Sequence, residues 1–181
     1  MKIKTYFIIA VAIFGLTSCE DLLNNLGATF DSDYYTYQLI IPPSHAGDSV
    51  SQTIAVKSDF QDLLKEKGYA DATVQDVYLT DVQIDVNDQS QVSNLDAIES
   101  VKLSLSSGAY PEKPVAEKEN TEKGLTQMPL TLPKVDIAGY LQEDSYNIKV
   151  QGVIGEDITS LLAINVKIKF RVDLKLSVPK E

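Results

Sequence analysis

From Leu162 to Val178 every even-numbered residue is apolar, and most odd-numbered residues are polar. The even set is Leu162, Ile164, Val166, Ile168, Phe170, Val172, Leu174, Leu176 and Val178. A period of two marks a strand with one face on a core and the other in water. A helix cannot carry it, because at ~3.6 residues per turn these side chains would point all around the axis. The chain must therefore build a long β-strand and a core to receive its even face. The 17 residues from 162 to 178, at roughly 3.3 Å each, would reach about 55 Å, beyond the usual strand length. The segment is therefore expected to bend, bulge or pass from one sheet to another.

Shorter stretches repeat the pattern. Tyr35, Tyr37, Leu39 and Ile41 share one face, as do Val50, Ile54 and Val56, and Tyr146, Ile148 and Val150. In the run from 74 to 86, Val82, Ile84 and Val86 alternate, but Val77 and Leu79 upstream have the opposite parity. That predicts a bulge near Thr80–Asp81, or an upstream half covered on both faces. Val101, Leu103 and Leu105 suggest another strand, and Met128, Leu130 and Leu132 one that Pro129 places at a sheet edge. The segment around Val115–Ala116 is the weakest, a short edge strand at most. Residues 58–68 read as a helix, with Ser58 as N-cap, Gln61 completing a capping box and Gly68 as the left-handed C-terminal residue. Residues 136–142 read as a second short helix capped by Asp136. Many short strands with turns between them point to a mainly β chain, an antiparallel β-sandwich of immunoglobulin-like kind with one or two short helices. A β-barrel closed on itself is the alternative. No fixed repeat period points to a solenoid.

The N-terminus reads differently. Lys2 and Lys4 precede an apolar run from Tyr6 to Leu16, and small residues follow. The run is too short to span a membrane and has the form of a secretory signal peptide. Leu16-Thr17-Ser18-Cys19 resembles the lipobox of bacterial lipoproteins. The resemblance implies that the Cys19 thiol receives a diacylglycerol, that residues 1–18 are removed, and that the new amino group is acylated, for instance with palmitate. An ordinary signal followed by a free thiol fits poorly, since Cys19 is the only cysteine in the chain. Two or more acyl chains hold a protein on a bilayer firmly, where one does not. Glu20 and Asp21 look like the surface-export signal of Bacteroidota lipoproteins. In other bacterial groups acid there means inner-membrane retention. The layout expected is a signal peptide at 1–18, a lipidated tether at 19–33 and a sandwich domain at 34–181, on the outer membrane and facing the cell surface.

Composition bounds the partners. The formal charge of −10 becomes −12 once Lys2 and Lys4 are removed. A surface so acidic argues against nucleic acid and against a polybasic grip on lipid, leaving the lipid anchor as the membrane contact. With Cys19 acylated no disulfide or cysteine metal site remains. No cofactor is expected.

Candidate sites are few. Lys167, Lys169, Arg171 and Lys175 stand on the odd face of the last strand, a basic stripe in an acidic chain. The stripe suits an acidic glycan, lipid head group or protein partner; alternatively it pairs across strands with acids such as Asp81 and Asp85. Tyr34, Tyr35 and Tyr37 cluster and suit sugar stacking or an interface. Asp85 to Ser90 has closely spaced oxygen ligands but lacks the glycine bend of a calcium loop. His45 is the only histidine and lies in a turn with no nucleophile motif beside it. Acids are abundant, but the chain has no tryptophan to floor a sugar cleft.

Segments 58–68, 74–86, 95–106, 136–142 and 162–176 are together similar to a group of Bacteroidota outer-membrane lipoproteins. The resemblance implies a β-sandwich and transfers no catalytic or binding residues. The reading is of a non-enzymatic, lipid-anchored envelope protein, a surface-exposed binding or structural module for a glycan, a partner protein or an envelope component. The alternative is a lipid-handling protein with an apolar cavity between its sheets, lined by residues such as Ile168 and Phe170. A hydrolase comes third.

Overall fold

A computed structural model describes residues 27–120 and 122–176. The signal peptide, Cys19 and residues 20–26 lie outside these, as do residues 177–181 at the end of the alternating segment.

Among the described residues nine strands and two short helices follow in order: β1 (Gly27–Asp31), β2 (Tyr35–Ile41), β3 (Ser49–Lys57), α1 (Phe60–Glu66), β4 (Thr73–Val86), β5 (Ile98–Ser107), β6 (Lys113–Glu119), β7 (Gln127–Pro129), α2 (Ala138–Gln142), β8 (Ser145–Ile154) and β9 (Leu162–Lys175). They form two antiparallel sheets packed face to face. Sheet I runs β1-β9-β4-β7, with β2 also on β9, and sheet II runs β3-β8-β5-β6. The expected β-sandwich is therefore present, and the chain is not a barrel closed on itself.

The connectivity differs from the immunoglobulin-like order. An immunoglobulin sandwich groups its strands as ABED and CFG. Here every connection from β2 to β9 crosses between sheets, except the link from β5 to β6, which stay neighbours in sheet II. That order is a jelly roll. The period of a strand says which side is buried and nothing about which sheet receives it, so the patterns alone could not separate the two.

The long β9 neither bulges away nor changes sheet. Its even residues from Leu162 to Leu174 are buried. On one side it is flanked from Ile164 to Lys175 by β4, which carries register shifts between Val74 and Asp76 and between Leu79 and Asp81. The second shift is the expected bulge; Val77 and Val82 are both fully buried across it. On its other side β1 and β2 share the strand in succession. Between them Ser32 donates its N–H to the Phe170 carbonyl at 2.8 Å and accepts the Phe170 N–H on its hydroxyl at 3.1 Å. The irregularity demanded of so long a strand is thus carried by its neighbours.

β1 also revises the layout. Residues 27–31, expected in the tether, are paired with residues 171–175. Phe30 stacks on Tyr69 with ring centroids 5.7 Å apart, which binds this segment to the domain.

Both helices close the end of the sandwich at which Gly27 enters, burying Phe60, Leu64, Tyr140 and Leu141. Gly68 takes φ +82°, as its place after the helix predicts. The capping box does not form: α1 starts after Asp59, and no side chain caps it. Ser58 instead donates its hydroxyl to the Leu141 carbonyl and accepts from Phe60 N–H at 3.3 Å, linking α1 to α2. Asp136 accepts from Ala138 N–H at 2.9 Å and from Val77 N–H at 3.0 Å, holding the start of α2 against β4.

Candidate functional site

The basic stripe lies on the outer face of sheet I, and its neighbours already engage it. Lys167 forms an ion pair with Asp85 of β4. Arg171 grips Asp31 of β1 through Nε at 2.9 Å and Nη2 at 3.4 Å. Lys169 sits 5.8 Å from the centre of the Tyr34 ring, and the Tyr34 hydroxyl donates to Asp81. Lys175 faces Gly27 and Thr73 at the end of the strand. The expected cross-strand pairing thus holds for Asp85, while Asp81 is reached through Tyr34. Such pairs contribute about 0.2–1 kcal/mol each; they neutralise Lys167 and Arg171, while among the described residues Lys169 and Lys175 form no ion pair.

The hydrogen bond from Arg171 holds the Asp31 carboxyl below its usual range. A carboxylate with a depressed folded value stabilises the fold above its unfolded value, and that contribution disappears as pH falls through the folded value. The pair is exposed, so the effect on stability is small. An NMR titration should place the Asp31 midpoint below that of an ordinary aspartate, and Arg171→Gln should raise it; an unchanged midpoint in the variant would refute the assignment.

The tyrosine cluster is divided by strand alternation. Tyr34 is exposed on the outer face of sheet I. Tyr35 and Tyr37 turn inward beside Tyr146 at the seam between the sheets. Tyr35 stacks on Phe170 at 5.5 Å and donates to Asp59 at 3.1 Å. Burial is the main cause of the raised tyrosine values at 35, 37 and 146.

Between the sheets lie apolar cavities of about 30 and 20 Å³. The smaller is bordered by Ile168 and Phe170, the residues expected to line a lipid site. A water needs roughly 10–15 Å³ of such space, so neither cavity accommodates an acyl chain. The interior is packed, and the lipid-sheltering alternative fails on that ground.

The outer face of sheet II is different. An open groove of about 800 Å³ crosses it. Its floor and walls follow from register. Ser51 faces Gln151, Gln151 faces Lys102, and Lys102 faces Glu117, one residue from each of four strands. A second row runs Ser49, Val153, Ser100 and Glu119. Each strand turns its alternate residues inward, including Val101, Leu103, Val150 and Ile154 in the core, so the polar set is held on one surface. Four strands at a spacing of ~4.8 Å make each row about 14 Å long. The wall at β6 is raised by a bridge between Glu117 and Thr131, with N–H to carbonyl distances of 3.0 and 2.8 Å.

Among the described residues, none of the side chains of Ser51, Gln151, Lys102 and Glu117 makes an ion pair within the domain, and none donates or accepts a side-chain hydrogen bond. Lys102 and Lys118 balance Glu117 and Glu119, so the charges lining the groove sum to zero. Glu117 and Glu119 lie side by side on one strand. Paired-acid glycoside hydrolysis instead needs carboxylates flanking the bond from two sides.

Alternation on β5, β6 and β8 could have shown the polar faces. Their convergence needed the register, which is why the sequence reading missed this site. The other sequence candidates do not converge on it. His45 is an exposed loop residue with Nδ1 3.6 Å from Asp157 Oδ1. Asp85 is committed to Lys167, and Asn87 closes the following turn by accepting from Gln89 N–H at 2.8 Å.

No family model and no curated protein matches the chain. Similar solved structures include one on the promiscuous specificity of carbohydrate-binding modules from the β-sandwich superfamily. It is 10% identical, with a TM-score of 0.33 over 81% of this chain and 56% of that one. The present chain therefore spans little more than half of that structure's length. Another is desmodium yellow mottle tymovirus, 8% identical, with a TM-score of 0.29 over 87% of this chain and 93% of that one. At these values neither likeness bears on what this chain binds.

Proposed function

We propose that this chain is a lipid-anchored envelope protein and that its sandwich is a non-enzymatic binding module whose sheet II groove takes an extended, uncharged, polyhydroxylated ligand, a glycan chain. The observation that carries this is the contrast between the two outer faces. On sheet I Lys167 and Arg171 are ion-paired within the domain and Lys169 lies against the Tyr34 ring; on sheet II the hydroxyl, amide and charged groups of the two ordered rows have no such side-chain partners among the described residues. A hydroxyl-rich ligand donates to Glu117, accepts from Lys102 and does both with Gln151 and the serines. The balanced charge of the groove favours a neutral ligand over an acidic one.

The position of the groove supports presentation away from a membrane. β1 begins at Gly27, so seven residues separate it from Cys19. At most ~3.6 Å per residue, they reach about 25 Å. Gly27 faces Lys175 at one end of β9. The groove lies at the opposite end of the sandwich, where Ser49 follows the loop from Ile41, the partner of Leu162. The 14 residues of β9, at ~3.4 Å each, set the two ends about 45 Å apart.

Binding to an array of neutral glycans tests the proposal. Lys102→Ala combined with Gln151→Ala should weaken capture at least tenfold, a loss of about 1.4 kcal/mol, with the melting temperature unchanged. Lys169→Ala combined with Lys175→Ala should leave capture intact. Loss in the second variant with retention in the first would overturn the assignment to sheet II.

A further inference from the structure

We infer that the protein pairs with a second copy of itself through β3, two strands running antiparallel about a two-fold axis at Thr53. The pairing joins two four-stranded sheets into one.

Among the described residues β3 is the edge of sheet II and pairs with β8 alone. The ladder identifies which of its backbone groups face outward. Ser58 N–H donates to the Asp144 carbonyl at 3.0 Å, and Ile154 N–H donates to the Asp48 carbonyl at 2.9 Å. Both pairs continue the register in which Val50 faces Gly152 and Ile54 faces Ile148. Hydrogen-bonded pairs alternate along an antiparallel ladder. The even residues of β3 therefore direct their N–H and C=O groups at β8. Ser49, Ser51, Thr53, Ala55 and Lys57 direct theirs at the open edge. This uninterrupted row matches one kind of occupant, another extended backbone.

The other edges are blunted. β6 contains Pro114 and a register shift, and Lys113, Glu117, Lys118 and Glu119 charge it. β7 is three residues long and ends in Pro129. The β1/β2 edge is interrupted between Asp31 and Tyr35. β3 runs for nine residues with no proline and no register shift, and its single charge is at the last position. Edges without such protection pair with other strands.

The sequence of β3 selects a second copy as the occupant. Centred on Thr53, all nine residues find partners: Ser49 with Lys57, Val50 with Val56, Ser51 with Ala55, Gln52 with Ile54, and Thr53 with itself. The outward-directed odd residues form the hydrogen-bonded pairs. The even residues form the closer pairs on the inner face, where valine meets valine. No like charges oppose one another. Val50, Ile54 and Val56 point inward yet are only half-buried, because among the described residues no strand flanks them on the open side. The cavity of about 30 Å³ beneath Val50 also reaches this edge, beside Ser51 and Gln52. A second copy covers both. The pairing uses the backbone and is independent of what the groove binds.

The test uses the full chain with Cys19→Ser, so that an added Thr53→Cys supplies the single thiol. Opposed residues of a hydrogen-bonded pair have Cα atoms about 5.5 Å apart, within disulfide reach. Oxidation should give a covalent dimer from Thr53→Cys and none from Ser49→Cys, whose copies lie far apart across the axis. Sedimentation of the Cys19→Ser chain should give twice its 19.9 kDa mass. Thr53→Lys, which opposes two ammonium groups at an exposed position, should weaken the dimer at least tenfold while leaving the circular dichroism spectrum unchanged. A monomer at ~100 μM, or equal crosslinking from positions 49 and 53, overturns the inference, and the monomer would return the edge to a strand from some other protein.

Discussion

Replacing Phe170 with alanine is expected to lower the stability of the domain by about 3–5 kcal/mol, as for other buried phenylalanines cut to alanine. Phe170 is 4% exposed and stands on the central strand of sheet I. Its ring stacks on Tyr35 at 5.5 Å and meets Phe60 of α1 at 6.2 Å. One side chain thus joins β9, the edge strand β2 and the helix that closes the sandwich. The backbone of the same residue is clamped at both its N–H and its carbonyl by Ser32, so the truncated site cannot collapse by shifting the strand. The void left behind adds to the lost transfer energy. Urea unfolding measures this directly, and the melting temperature should fall by about 10 °C. Lys169→Ala, one residue away on the outer face, should change stability by no more than about 0.5 kcal/mol. Similar costs for the two variants would contradict the assignment of inner and outer faces on β9.

Replacing Cys19 with alanine is expected to move the protein from the membrane fraction to the soluble fraction. The effect should be close to all-or-none because the anchor proposed is covalent. Each buried methylene contributes about 0.8 kcal/mol, so removing two or more acyl chains removes far more than any surface contact supplies. Among the described residues no helix is long and apolar enough to cross a membrane. Cell fractionation and metabolic labelling with a palmitate analogue read the two halves of the prediction. Label retained by the alanine variant, or continued sedimentation with membranes, would count against lipidation at Cys19. Protease added to intact cells then tests the address proposed for Glu20 and Asp21: a surface protein is cut, and one facing the periplasm is cut only after lysis.

Much of the secondary structure was legible because it depends on local patterns. The opposite parities of Val77 and Val82 pointed to a bulge or to an upstream half covered on both faces, and the pairing shift between Leu79 and Asp81 shows the bulge. Gly68 was legible as a helix terminator because only a residue without a side chain settles readily at φ +82°. The capping box at Ser58 was read from the same kind of signal and did not form. Its hydroxyl is bound to the carbonyl of Leu141, 83 residues away in the chain, and a local rule cannot anticipate such a competitor. β1 was hidden for a related reason. Five residues beginning with a glycine and an alanine carry little pattern, and they become a strand because β9 offers an edge.

The candidate site followed the same division. The basic stripe was visible because it lies on one strand, and its pairing partners were partly foreseeable. The groove was not visible, because Ser51, Gln151, Lys102 and Glu117 come from four strands spread between positions 51 and 151 and meet only in register. By itself the sequence determined which residues face a core and that the chain is mainly β, since alternation is written along each strand; it pointed to a sandwich and left a closed barrel as the alternative. Only the tertiary structure decided that the sandwich is a jelly roll, that two of the four stripe cations are ion-paired and that an unengaged polar groove lies on the opposite face. Those are properties of strand order, and strand order is set by how buried faces pack together across the whole chain.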